Sequence, residues 1–226
     1  MQDERVNKLA KNLIMHSCKL KKGEKVLIEA KGVDYMLVNA LIKEAYAVGA
    51  FPFVEMFDNR VSRELLLGET EEYARLKAKY DGYRMSDMDA YIGIRGGENC
   101  NENADVPSER LQAESEFYSH PVHHEIRVKK TKWVILRYPN QGMAQQAGMS
   151  TDGFEDFYFN VCNLDYSKMD RAMDALKARL DKADKVRIVA PNTDISFSIK
   201  GISFLALAKI AKSENLTFLI VFKFLS

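Results

Sequence analysis

The densest group of possible metal ligands in this 226-residue chain is the segment His120-Pro-Val-His123-His124-Glu125. His120 and His124 would share one face if the segment were helical, with Pro121 near the start of that helix, and imidazole is a preferred zinc ligand. The segment has no glutamate placed as in a zincin motif and no distant third ligand. Surface histidines of a polar helix are the more frequent case, and we favour that interpretation.

A glycine-rich loop follows a predicted strand in the segment Gly93-Ile-Arg-Gly-Gly97-Glu98. Loops of this kind can present backbone amides to a phosphate, so nucleotide binding is one hypothesis. The residues after it, Asn99 to Asn103, carry no Lys-Ser/Thr pair and do not complete a dinucleotide fingerprint. We therefore favour a plain loop between a strand and a helix.

Three carboxylates, Asp152, Glu155 and Asp156, form an acidic patch that could bind a metal or act as acid and base. They lie at the start of a predicted helix, where the helix dipole favours negative charge. Met143, Met149 and a set of aromatic residues nearby could line an apolar cleft or form a packed hinge between domains. That aromatic set is Phe154, Phe157, Tyr158 and Phe159.

The three cysteines, Cys18, Cys100 and Cys162, form an odd set without a close pair, which does not suit a disulfide scaffold or a zinc knuckle. Neither Cys100 nor Cys162 has a neighbouring His or Lys that would lower its thiol pKa. We therefore assign no nucleophile, and reduced thiols predict a cytoplasmic protein.

The elements that would position these groups alternate between helix and strand. Helices are predicted at residues 6–14, 38–45 with Gly49 as the cap, 59–79 with a break at Gly68, and 169–180. Another is predicted from Pro107 to about Arg127, with Asp105 accepting a hydrogen bond from one of its first amides. Strands are predicted at residues 26–28, 51–54, 90–94 and 133–136, and a β-hairpin at 186–199.

This order predicts an α/β fold: a doubly wound, mostly parallel sheet covered by helices, followed by the β-hairpin that starts a truncated second domain. The predicted parts are an α/β domain at residues 1–140, a helical junction at 141–183, and the start of the second domain at 184–226. With 33 basic and 32 acidic side chains, no overall charge would attract nucleic acid or an anionic membrane. No secretory signal and no apolar run of the ~20 residues that span a bilayer is evident.

Several short sequences along the chain carry a family resemblance. They are Lys22-Gly-Glu-Lys-Val-Leu-Ile28, Tyr138-Pro139, Met143-Ala144, Met149-Ser150, Phe157, Cys162, Leu164-Asp-Tyr166, Thr193-Asp194 and Phe197-Ser-Ile-Lys-Gly201. In this order, from residue 1 to about 201, they resemble the thermophilic metallo-aminopeptidases, the family that includes aminopeptidase T and aminopeptidase S.

The resemblance implies a homodimer that cleaves short peptides in the cytoplasm. Its amino-terminal α/β domain would carry no catalytic metal, and its carboxy-terminal domain would hold two divalent cations, Zn, Co or Mg, that activate a water. In the family, an Asn-Ile-Pro-Asp-Gly-Glu segment with the first metal ligand soon follows the sequence that ends here at Gly201. We cannot match the residues after Gly201 to it, and a change of reading frame near that point is one hypothesis.

No catalytic, cofactor-binding or metal-binding residue can therefore be carried over to this chain. We expect a truncated, inactive form of the enzyme to which no metal binds specifically. The alternative is a stand-alone, non-catalytic binding or dimerisation domain.

Overall fold

A computed structural model describes residues 3–202, which form two compact units divided between Asn163 and Leu164. The first unit contains seven α-helices and four strands among its described residues. The helices are α1 (Glu4–Asn12), continued by a π-helical turn (Leu13–Ser17), α2 (Tyr35–Ala47), α3 (Asn59–Leu67), α4 (Glu71–Ser86), α5 (Ser108–Glu114), continued by a π-helical segment (Ser115–Val128), α6 (Gln141–Gln146) and α7 (Thr151–Cys162). The strands are β1 (Lys25–Lys31), β2 (Phe51–Phe57), β3 (Ala90–Arg95) and β4 (Lys132–Arg137).

The four strands are all parallel and lie in the order β2-β1-β3-β4. The chain moves outward from β1 to β2, then returns through α3 and α4 to β3 on the other side of β1. The carboxyl ends of β1 and β3 therefore flank a topological switch point, where open α/β sheets form a crevice. This confirms the predicted α/β class and the mostly parallel sheet.

The two faces of the sheet pack on different groups of helices. One face, which includes Val26, Ile28 and Ala30, belongs to an apolar core with α1 and α2. The other face, which includes Leu27 and Tyr91, packs on α4 and the π-helical segment. Alternate residues of a strand point to opposite faces, so β1 is buried along most of its length by both layers.

Two helices end at the glycines predicted for them, although most elements extend a few residues beyond their predicted bounds. Gly49 follows α2 with a positive φ of 75°, and Gly68 caps the end of α3. Two predictions about the helix after β3 are wrong. Asp105 does not cap α5, because its carboxylate accepts hydrogen bonds from Arg63. Pro121 lies inside the π-helical segment and does not begin a helix.

The second unit contains, within its described residues 164–202, helix α8 (Tyr166–Leu180) and the antiparallel strands β5 (Lys185–Ala190) and β6 (Thr193–Ser198). Asn192 adopts a positive φ of 58° in the turn, a conformation that Asn tolerates better than most residues. Arg187 and Asp194 pair across the strands. The predicted hairpin is confirmed, whereas the predicted tail beyond Ile202 lies outside the described residues.

The division between the units falls within residues 141–183, the segment predicted to be a junction. The domain boundaries at 140 and 183 stay a prediction. No helix in residues 3–202 has both the length and the apolar composition needed to cross a membrane.

Candidate functional site

A buried ionic cluster lies under the carboxyl half of the sheet. Glu29 points from the centre of β1 to the face that packs on the π-helical segment, and it is only 2% exposed. Its carboxylate accepts hydrogen bonds from the Tyr91 hydroxyl at 3.0 Å and from Nη2 of Arg127 at 2.9 Å. Nη2 of Arg95 lies 2.7 Å from the same carboxylate, and Nζ of Lys31 lies 3.7 Å away.

The neighbouring cations decide the ionisation of Glu29. Burial by itself would raise the pKa of the carboxyl group, because a charge loses its hydration. The positive charges of Lys31, Arg127 and Arg95, together with the Tyr91 hydrogen bond, outweigh burial and lower the pKa to about 2. In turn, burial and the negative charge of Glu29 raise the pKa of Tyr91 to about 12. Glu29 is therefore a carboxylate and Tyr91 a neutral phenol at pH 7.

Gly93 leaves the space that this cluster needs. A Cβ at this position of β3 would lie 3.1 Å from the Tyr91 hydroxyl and 3.0 Å from Cγ1 of Ile135. Each carboxylate oxygen of Glu29 accepts a hydrogen bond, and the low pKa makes the group a poor general base at pH 7. We interpret the cluster as the group that ties β1, β3 and the π-helical segment together.

The crevice at the switch point is a cavity of about 520 Å³ at the carboxyl ends of β1, β2 and β3. Its lining residues are Gly32, Val33, Met56, Phe57, Asp58, Asn59, Arg60, Gly97, Glu98, Asn99 and Glu102. Three carboxylates and one guanidinium lie among them, so the lining does not favour a phosphate. The side chain of Asp58 is already used, since it accepts hydrogen bonds from the first amides of α3.

The glycine-rich loop closes onto a side chain of the protein. Asn59 donates a hydrogen bond from Nδ2 to the carbonyl of Gly96 at 3.1 Å. A Cβ at Gly97, where φ is 108°, would come within 2.0 Å of the same amide nitrogen, and one at Gly32 within 2.5 Å. The glycines are therefore explained by the close approach of three loops. This supports the plain loop that the sequence favoured over a nucleotide site.

The histidine segment does not assemble a metal site. The rings of His120 and His124 lie 5.9 Å apart, and His120 also approaches Glu125 at 3.9 Å. His123 was predicted to be a surface residue, and that prediction is wrong. It is half-buried, with its ring edge-on to Tyr91 and Trp133.

His123 is held in the neutral state. Burial lowers its pKa, and the nearby positive charge of Arg127 adds to the effect, so the pKa falls to about 4. An imidazole between two aromatic rings and an arginine belongs to the packing of this face. Its neutral form avoids a further positive charge beside the Glu29 cluster.

The acidic patch is used in an ionic contact between helices. Arg5 of α1 bonds Asp156 of α7 at 2.5 Å and approaches Glu155 at 3.6 Å. Asp152 lies in the first turn of α7 behind the Ser150 cap, where the helix dipole favours it. This agrees with the structural interpretation of the patch.

The aromatic residues of α7 divide between core and surface. Phe154 and Phe159 are buried, whereas Phe157 and Met149 are exposed. Phe159 packs in the core with α1 and α2, and the Arg5 guanidinium lies 4.9 Å above its ring. Phe154 and Phe159 are therefore packing residues of the first unit, and none of the set lines the cavity described above. The hinge between domains stays a prediction.

The cysteines are free thiols. Burial raises the pKa of Cys18 to about 12 and also raises the pKa of Cys162. Cys100 accepts a hydrogen bond from Gln146 at 2.9 Å. None of the three has the electropositive surroundings of an activated nucleophile.

The residues present do not fit a two-metal centre. Within residues 3–202, no group of three or more His, Cys, Asp or Glu side chains converges on one point. Of the carboxylates that the sequence offered, Glu155 and Asp156 lie against Arg5, and the ring of His123 packs edge-on to Tyr91 and Trp133. Any step through bound metal would require ligands from outside the described part of the chain.

Sequence reasoning missed the Glu29 cluster. Its members come from three separate parts of the chain, and Arg127 follows Glu29 by 98 positions, so no motif spacing connects them. One signal was available: Glu29 and Lys31 place charges in the carboxyl half of an otherwise apolar strand, and a buried charge needs a partner.

The comparisons with known proteins point to one family. The model of the thermophilic metalloprotease (M29) family matches residues 2–219. This runs past the end near Gly201 that the sequence interpretation assigned to the resemblance, so that boundary is wrong. Among curated proteins, no sequence matches the chain significantly.

Solved structures with a similar fold include wild-type AmpT from Thermus thermophilus, with a TM-score of 0.61 and 18% identity over 82% of this chain. The chain spans about half of that structure, 51% of its length. A putative enoyl reductase domain of polyketide synthase, 14% identical over 63% of this chain and 73% of its own, reaches a TM-score of only 0.30. The parallel sheet, the family match and the likeness to AmpT agree with the resemblance read from the sequence: the chain belongs to the thermophilic metalloprotease family.

Proposed function

We propose that this chain is the amino-terminal part of a cytoplasmic metallo-aminopeptidase that removes amino-terminal residues from short peptides. The observation that carries the proposal is the family match over residues 2–219. The fold likeness to AmpT, which this chain matches over half of that protein's length, supports the same assignment.

We further propose that the chain alone is catalytically silent and that the two divalent cations of the parent enzyme, Zn, Co or Mg, would be held by residues beyond those described. The support is chemical. Asp156 pairs with Arg5 and Glu29 with Arg127, and no three described His, Cys, Asp or Glu side chains form a group that could hold a metal ion. What these residues supply is a rigid, well-packed scaffold.

The test is the release of leucine or arginine from a chromogenic substrate by the purified chain, with added cobalt, zinc or magnesium. We expect no turnover above that of the metal alone. Turnover by the chain would contradict catalytic silence while leaving the peptidase assignment intact. Sequencing the gene through and beyond codon 226 in all frames tests the proposed truncation. If no reading frame there encodes the metal ligands, the truncation is contradicted.

A second candidate is a stand-alone, non-catalytic binding or dimerisation domain. One observation favours it: the edge strand β2 exposes most of its large apolar side chains. A chain that forms a stable complex through this edge and has no ligand-coding sequence after codon 226 would support this candidate over the first.

A further inference from the structure

A second buried carboxylate lies outside the Glu29 cluster. Glu69 is in the connection between α3 and α4, and it is 0% exposed. One of its carboxylate oxygens, Oε2, accepts a hydrogen bond from Nζ of Lys77 on α4 at 2.5 Å. The other oxygen, Oε1, is buried and receives no hydrogen bond from any residue that the structure describes. Because a buried carboxylate oxygen without a donor is costly, Oε1 needs a further partner.

Two aromatic rings hold the Lys77 ammonium beside Glu69. Nζ of Lys77 lies 5.0 Å from the ring of Tyr73 on α4 and 4.9 Å from the ring of Tyr118 in the π-helical segment. The Tyr118 hydroxyl in turn donates a hydrogen bond to Asp81 of α4 at 2.8 Å. These contacts place the start of the π-helical segment against the Glu69–Lys77 pair.

One face of α5 is directed at the same pair. Arg110 of α5 donates a hydrogen bond from Nη1 to the backbone carbonyl of Glu69 at 2.5 Å. Tyr118, which contacts Lys77, follows Arg110 by eight positions. Glu114 lies midway between them, and helical residues four positions apart share a face. The helix therefore directs Glu114 to the Glu69–Lys77 pair.

Charged groups from several elements face Glu114. They are Glu69 before α4, Lys77 of α4, Lys31 at the end of β1, Arg127 of the π-helical segment, and Arg110 on the same face of α5. On α3, which also packs on α5, the side chain of Arg63 bonds Asp105 ahead of the helix. Among the groups that face Glu114, only Glu69 is negative.

The surroundings of Glu114 favour its neutral form. The residue is half-buried, and burial raises the pKa of its carboxyl group above the ordinary value of 4.5. Lys77 and Lys31 lower this pKa, the negative charge of Glu69 raises it, and Arg127 lowers it. The net effect is a raised pKa, although three of the four charges act in the other direction.

We propose that Glu114 keeps its proton in the folded chain and donates it to Oε1 of Glu69, so that the two carboxyl groups hold one proton between α5 and α4. Glu69 then has a donor for each oxygen, Lys77 for Oε2 and Glu114 for Oε1. A water in place of the Glu114 proton would leave two carboxylates facing each other in a poorly hydrated place, which is unfavourable. The proposal does not depend on the peptidase assignment.

The shared proton makes the packing of α5 depend on pH. The folded chain binds the Glu114 proton more tightly than the unfolded chain does, because folding raises the pKa. This contribution to stability is complete below the ordinary pKa of 4.5 and is lost as the pH rises through the folded pKa. Loss of the proton puts two like charges between α5 and α4. Since α5 follows the loop that carries Glu98 and Glu102 of the crevice, a rise in pH loosens the helix at the end of that loop.

Carbon-13 NMR of the full chain, labelled at the side-chain carboxyl carbons of glutamate, tests where the proton lies. The Glu114 signal is assigned by its loss in Glu114→Gln. Its titration midpoint is expected above 4.5, and it is expected to fall in Glu69→Gln, which lacks the negative charge of the acceptor. Circular dichroism checks that both variants fold. A wild-type midpoint at or below 4.5 would overturn the proposal, and so would a midpoint that a folded Glu69→Gln leaves unchanged.

Hydrogen exchange tests the pH dependence of α5. After correction for the intrinsic effect of pH on exchange, α5 of the wild-type chain is expected to be severalfold less protected at pH 8 than at pH 5. In Glu114→Gln the side-chain amide can donate to Oε1 and cannot ionise, so we expect equal protection at both values. The matched control is Glu116→Gln, which removes an exposed carboxylate two positions later and should behave as wild type. A wild-type pH dependence that persists in Glu114→Gln, or none in the wild-type chain, would contradict the shared proton.

Discussion

The two faces of the central sheet are built from alternate residues of the same strands, yet they are held together by different forces. On the face that packs on α1 and α2, Ile28 and Ile92 lie in an apolar core. On the face that packs on α4 and the π-helical segment, the carboxyl half carries Glu29 with Arg95 and Arg127. Both faces are buried, but the second also buries the charged side chains of Glu29 and Arg127, which lose favourable hydration on folding.

The difference decides how each face should respond to change. An apolar core loses stability in proportion to the surface and volume removed. A buried ionic cluster is sensitive to the loss of one partner, because the remaining charge stays in a poorly hydrated place. Replacing the whole cluster by apolar side chains is less harmful than removing one member.

The largest expected effect is on the charged face. Arg127→Met keeps most of the side-chain volume but leaves Glu29 without its buried partner. We expect the free energy of unfolding to fall by about 4 kcal/mol, measured by urea denaturation. The control is Arg137→Met, at the exposed end of β4, which should change it by less than about 0.5 kcal/mol.

The double variant Glu29→Met with Arg127→Met sharpens the comparison. Because it removes both charges, we expect it to recover roughly half or more of the loss of Arg127→Met. If the double variant is no more stable than Arg127→Met, loss of packing and not an uncompensated charge explains the effect.

A smaller effect is expected from Gly93→Ala. The new methyl group would press on the Tyr91 hydroxyl and on Ile135, so the cluster and β4 must shift. We expect a loss of about 2 kcal/mol, followed by thermal unfolding. Gly82→Ala is the control, because its Cβ would meet Ile126 at an ordinary 3.5 Å. Equal effects of the two changes would remove the special role of Gly93.

The smallest effect concerns His123. Its pKa is about 4 in the folded chain against an ordinary 6.5, so the unfolded chain binds more protons between these values. Stability is therefore complete above pH 6.5 and is lost as the pH falls towards 4. Allowing for solvent screening of a half-buried ring, we expect about 1 kcal/mol at pH 5.

His123→Phe should make the melting temperature less sensitive to pH between 6.5 and 4. The exposed His120→Phe serves as the control, and should leave the pH profile close to wild type. Carboxylates titrate in the lower part of this window, but they are common to both variants. A wild-type slope in His123→Phe would contradict the buried neutral imidazole.

Local patterns predicted much of the fold. Apolar runs predicted the four strands, and glycine positions predicted the ends of α2 and α3 at Gly49 and Gly68. Alternation of apolar and polar residues predicted the hairpin. The Glu29 cluster could not be predicted from local patterns, because Arg95 and Arg127 lie on other elements, β3 and the π-helical segment. They meet Glu29 only in the folded chain. Likewise, the exposure of β2 depends on its place at the edge, and the burial of His123 depends on Trp133 across the layer.

The candidate chemistry was predictable mainly by exclusion. The glycine-rich loop is contacted by Asn59, and Asp156 of the acidic patch pairs with Arg5. The family was predictable from short ordered sequences, although the match extends further along the chain than those sequences indicated.

Metal binding tests the central claim most directly, namely that this chain belongs to a metalloprotease family while its described residues hold no metal centre. Calorimetric titration of the purified 226-residue chain with zinc or cobalt gives the stoichiometry. We predict only weak uptake that does not saturate at a whole number of ions. Tight binding of two ions per chain would contradict the account.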